Sequence, residues 1–77
     1  MEPIPLHTLV PGQKGRITAV NKGNAINKRI ADMGMVKGSI VAVQRIALLG
    51  DPISVRVKGY HLSLRKQEAS NILVELI

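Results

Sequence analysis

The chain has 77 residues, 45% of them apolar, and a formal net charge of +6 from 11 Lys and Arg against 5 Asp and Glu. A chain of about this size buries roughly 60% of the surface it exposes when unfolded, so one domain (residues 1–77) with one modest core is expected. No Cys is present, which excludes disulfides, thiolate metal sites and Cys nucleophiles together, and a single Tyr with no Phe or Trp leaves an aliphatic core.

Taken in chain order, the opening stretch MEPIPLHTLVPG carries an acid and prolines with no cationic region ahead of an apolar one, so it does not read as a signal peptide. Leu6 and Leu9 allow one anchored turn, and Pro11-Gly12 marks a tight reversal. KGRITAV reads as a first strand ending near Asn21, and Asn24 is a candidate N-cap. Ala25 to Met33 reads as a short helix, since Ile26, Ile30 and Met33 share one face. Gly34 stands where a left-handed residue ends such a helix. So short a helix must dock on a sheet to persist.

After Lys37-Gly38, SIVAVQRIAL reads as a strand with apolar residues on both faces at its start. Gly50-Asp51-Pro52 is a turn, and Ile53, Val55 and Val57 form one inward row. A second turn at Lys58-Gly59 leads to a matching row of Leu62 and Leu64. RKQEAS is a brief helical or looped link, and NILVELI is a closing strand. The fold class expected is mainly all-β: a small barrel of about five strands closed on itself, with one short docked helix. No apolar run approaches the ~20 residues needed to span a bilayer.

The chemistry-bearing residues are sparse. Glu2, Asp32, Asp51, Glu68 and Glu75 are spread along the chain, and no two are close in sequence. His7 and His61 read as surface histidines, a thin basis for a metal site. No Ser lies in a nucleophile elbow, and the glycines spell neither a P-loop nor a dinucleotide fingerprint. No catalytic residue, cofactor site or metal ligand is assigned, and an enzyme is not expected. The cations Arg16, Arg45, Arg56, Lys58 and Arg65 could form a stripe that engages phosphates. Single-strand binders also stack bases on aromatic platforms, and only Tyr60 is available. A solvated sheet face is the favoured reading of these charges, and nucleic acid is not the expected partner.

Four blocks in order carry a resemblance: LHTLVPGQKGRI, RIADMGMVKG, the Gly50-Asp51-Pro52 turn, and the hairpin running through VKGYHLSLR. They resemble the FeoA family, small proteins that accompany the bacterial ferrous iron transporter FeoB, over the span from Leu6 to Val74. The family pattern has leucines where Ile30 and Met33 stand, a volume-conserving exchange, and Pro where Lys37 stands.

The resemblance implies an SH3-like barrel and a cytoplasmic accessory role in ferrous iron uptake, exerted on FeoB by protein–protein contact. It places the chain at the inner face of the membrane only through that transporter, without insertion of its own, and leaves room for weak self-association. Alternatives are a nucleic-acid-binding barrel and the SH3-like domain of a metal-dependent repressor. A barrel without catalytic groups must act through a surface, and the segment expected to supply it is Arg29, Ile30, Met33, Gly34, Met35, Val36 and Lys37. A second candidate surface is Arg56, Lys58, Tyr60 and Arg65.

Overall fold

The computed structural model describes residues 2–20 and 34–77. The strands are β1 (Ile4–Pro5), β2 (Lys14–Val20), β3 (Ile40–Ile46), β4 (Ile53–Val57), β5 (Tyr60–Leu64) and β6 (Ile72–Leu76). One-turn 3-10 helices occupy Leu6–Thr8 and Leu48–Gly50, and a short helix, α1, spans Lys66–Ser70. The helix expected over Ala25–Met33 lies outside the described residues. The strand beyond the expected five is β1, a two-residue segment that pairs with β6 through Ile4 and Val74.

The six strands form one antiparallel sheet in the order β1-β6-β2-β3-β4-β5. Val74, Ile17, Val41, Val55 and Leu62, one from each of five neighbouring strands, belong to a single buried cluster. A sheet whose members share one core in this way is rolled around it. The expected ring is nevertheless not closed by backbone pairing: among the described residues, β1 and β5 stand at the two ends of the order and do not pair with each other. Instead α1 packs against the Leu6–Thr8 turn, β5 and β6, which covers the gap. Covering an edge with a helix is one of the ways proteins protect unpaired strand groups.

Local chemistry explains the elements. Leu6 and Leu9 are both buried, and the turn between them closes through Leu9 N–H donating to Leu6 O at 3.1 Å. At the Val10–Gln13 turn, Pro11 is followed by Gly12 at φ +95°, the pairing a type II turn requires. The β4–β5 hairpin turns on Lys58 (φ +50°) and Gly59 (φ +82°); positive φ at both central residues is the type I′ geometry that matches the twist of flanking strands. The inward row of Ile53, Val55 and Val57 is buried, as are Leu62 and Leu64.

Two irregularities depart from simple alternation. Between Val43 and Arg45 the register of β3 on β4 shifts, and between Ile17 and Ala19 that of β2 on β6 does the same. Ile40, expected to be covered, is 39% exposed. Gly15 is buried where β2 crosses β6: a Cβ there would lie 2.8 Å from the Val74 Cβ, so only glycine lets the two strands approach this closely.

Candidate functional site

Because alternate residues of β4 and β5 point inward, their partners line an outer face. One row across the strands runs Lys14, Ala42, Arg56, His61, each paired with the next. The adjacent row runs Glu75, Arg16, Ile40, which places an acid opposite an arginine. Beyond Val43, the β3 bulge leaves both Gln44 and Arg45 exposed beside Ser54 and Ser63. His61 Nδ1 lies 2.8 Å from Gln44 Oε1. Gln44, Arg45, Ser54, His61, Leu62 and Ser63 line a depression of about 380 Å³. Such a face offers hydrogen-bond donors and positive charge. Its chemistry suits contact with a polar or acidic surface.

At one end of the barrel, Gly34 has φ +97°, in the left-handed region, and its carbonyl accepts a hydrogen bond from Ser39 Oγ at 2.9 Å. Ser39 N–H donates to Val36 O at 3.0 Å, closing a turn over Lys37 and Gly38. Gly38 N–H donates to Ile17 O at 2.7 Å, and Ile17 N–H to Ser39 O at 2.8 Å, so this turn is stitched onto β2. Its exposed side chains are Val36 and Lys37. The Lys58 stem passes beside Gly34, its Cδ 3.2 Å from where a Cβ would sit. Two surfaces separate in sequence therefore adjoin here, Gly34–Lys37 and the exposed Lys58, with the exposed Tyr60 just past it on the same hairpin.

Other expected members do not join them. Met35, expected as an adaptable surface anchor, is fully buried in the core; its apolar side chain gains more from packing beneath the turn than from facing solvent, so it leaves the candidate surface. Arg29, Ile30 and Met33 lie outside the described residues. Arg65 sits beyond the far end of β5 from Tyr60, beside Asp51, so the second candidate set does not form one patch.

The histidines differ from each other. His61 is exposed on the outer face. His7, read from sequence as a surface residue, is half-buried on the Leu6–Thr8 turn because both neighbouring leucines are drawn into the core, and its Nδ1 is buried without a hydrogen-bond partner. Among the described residues, no group of three or more His, Asp or Glu is gathered closely enough to hold a metal ion.

One feature escaped the sequence reading. Leu48 and Leu49, at the tip between β3 and β4, are 90% and 95% exposed. Their position just before Gly50-Asp51-Pro52 was the available signal, since apolar residues at the apex of a reversal have no sheet face to enter.

Comparison with known proteins matches this geometry. The FeoA domain model matches residues 4–76. The chain is 40% identical over 72 residues to a Porphyromonas gingivalis fusion of Fe(2+) transport protein A with the Fe(2+) transporter FeoB, a stretch covering 94% of this chain and 8% of that protein. The structure superposes on an NMR structure of a FeoA-like protein from Clostridium acetobutylicum with a TM-score of 0.91 at 36% identity, covering 100% of this chain and 90% of the other. It also superposes on FeoA from Stenotrophomonas maltophilia, a prokaryotic SH3 domain protein crystallised with zinc, with a TM-score of 0.82 at 25% identity over 97% and 91% of the two chains. The rolled antiparallel sheet is thus an SH3-like fold, and with a family match from end to end of the barrel the chain belongs to the FeoA family, whose members are linked to ferrous iron transport.

Proposed function

We propose that this chain is a cytoplasmic accessory protein of ferrous iron uptake that acts by binding the cytoplasmic portion of a FeoB transporter. The observation that carries this reading is the fusion relative, in which a domain 40% identical to this chain shares one polypeptide with FeoB. Joining two modules raises the effective concentration of one near the other, often to the millimolar range, and that is useful when the two must meet. A separate chain of the same family would achieve the same encounter through its surface.

The surface assigned to that encounter is the end of the barrel formed by Gly34, Val36, Lys37, Lys58 and Tyr60. It combines partly exposed apolar groups with cations, the mixture of anchor and polar rim typical of interfaces. Cells lacking this gene should take up labelled Fe²⁺ more slowly, and the wild-type chain should restore uptake. A Val36→Asp/Lys37→Glu variant should fold and fail to restore it. Uptake that is unchanged by loss of the gene would contradict the role. Full restoration by the folded double variant would contradict the surface.

A further inference from the structure

β3 ends at Ile46, and the chain reverses through Ala47 to Gly50 before reaching Pro52 and β4. The reversal is held by Gly50 N–H donating to Ala47 O at 2.8 Å and Ala47 N–H donating to Pro52 O at 3.0 Å. Leu48 and Leu49 project from its apex, 90% and 95% exposed, and neither belongs to the core cluster. Leu49 also has φ +73°, a left-handed conformation in which a leucine is strained and Gly or Asn is at ease. Two large apolar side chains at a strained apex contribute little to folding. Adjacent exposed groups of this kind mark a contact with something else.

The surroundings indicate what that is. Arg45, Arg65 and Lys66 are all exposed at this end of the barrel. Of the acids there, Asp51 pairs with one of these cations, its Oδ1 lying 4.0 Å from Arg65 Nη1 and accepting from the Lys66 backbone N–H at 3.1 Å. The buried Glu68 Oε1 accepts from the Arg65 backbone N–H at 2.8 Å. The tip is therefore an apolar apex flanked by cations. A projecting apex suits a soft surface that it can enter, and the cations select an anionic one.

We propose that Leu48 and Leu49 form a peripheral contact with an anionic lipid surface, the leucines entering the boundary between headgroups and acyl chains while Arg45, Arg65 and Lys66 lie over the headgroups. Short apolar insertions gain from burial of their side chains, and juxtamembrane cations add to this through the negative surface potential. This differs from the expectation that the chain meets the membrane only through its partner. The tip lies at the opposite end of β4 from the Lys58–Tyr60 turn, so both ends can be occupied at once. The inference does not depend on FeoB binding.

The chain contains no Trp and one Tyr, so a Leu48→Trp variant carries a lone Trp at the tip, read by excitation at a wavelength that Tyr60 does not absorb. With vesicles of phosphatidylcholine containing about one-third phosphatidylglycerol, its emission should shift to the blue at low salt, with no shift on phosphatidylcholine alone. In sedimentation with the same vesicles, Leu48→Ser/Leu49→Gly should partition roughly tenfold more weakly than wild type, while Val36→Ser at the other end partitions normally. The double variant should stay folded, because it removes no core contact. Three results would overturn the proposal: no blue shift and no sedimentation at low salt, equal partition of wild type and the double variant, or a blue shift that grows with protein concentration without lipid. The last would identify a second copy of the chain as the occupant.

Discussion

The aliphatic stem of Lys58 runs beside Gly34, its Cδ only 3.2 Å from the position a Cβ would take. This contact ties the β4–β5 hairpin turn to the chain segment entering β3. Gly34 is constrained twice, by a φ of +97° and by that stem. A Gly34→Ala substitution should therefore lower stability by about 1–2 kcal/mol, and Gly34→Val by more. Shortening the neighbour separates the two terms: Lys58→Ala in the Gly34→Ala background should recover the steric part and leave the backbone strain. Urea unfolding of the four variants measures both, and full additivity of the two single changes would show that the stem does not matter.

Gly15 is a steric constraint without an unusual φ. Its missing Cβ leaves room for Val74 Cβ and Cγ2, each 2.8 Å from where it would sit. Because one of those atoms is attached to the β6 backbone, the strand itself must move. Gly15→Ala should destabilise by roughly 1–3 kcal/mol, a fall in Tm of several degrees or more for a domain of this size. A melting curve superimposable on wild type would contradict the strand approach described.

Lys58 occupies a position in the β4–β5 turn that asparagine fills more comfortably, since Asn-Gly is the preferred pair for a type I′ turn. Lys58→Asn should raise stability by about 0.5–1 kcal/mol. If this end of the barrel contacts FeoB, the same variant should weaken association. Stability up and binding down is the expected signature, and unchanged binding would remove Lys58 from the surface.

Asp51 anchors the segment after the leucine tip to the start of α1. Its bond from Lys66 N–H at 3.1 Å is the stronger element, because Arg65 is 71% exposed and the 4.0 Å ion pair is screened. Asp51→Asn should therefore retain most of the stability, whereas Asp51→Ala should lose about 0.5–1.5 kcal/mol. Equal losses in the two variants, compared by thermal denaturation, would show that charge matters more than the hydrogen bond.

Much of the barrel was legible because strand periodicity is a local signal. Ile53, Val55 and Val57 alternate with polar residues, Lys58-Gly59 announces a tight turn, and Leu62 and Leu64 complete the inward row; all five apolar residues are buried. β1 was not legible, since two residues give no period and Pro5 disguises them as loop. The exposure of both Gln44 and Arg45 depends on a bulge, which alternation cannot announce. Met35 illustrates why the interaction surface was harder. A methionine just after a left-handed glycine can pack back or face outward, and only the tertiary structure, in which it is fully buried, decides. Met35→Asp would thus probe the core rather than the interface. Leu48 and Leu49 were hidden for the opposite reason, as apolar residues at the end of a strand pattern read as its continuation.

The most direct test of the functional account is titration of the purified chain against purified full-length FeoB in lipid nanodiscs, followed by isothermal calorimetry with wild type and Val36→Asp/Lys37→Glu. The account predicts saturable one-to-one binding that weakens as salt rises, because exposed cations contribute, and that is lost in the folded double variant. Absence of heat with wild-type chain and active FeoB, across the salt range, would contradict it.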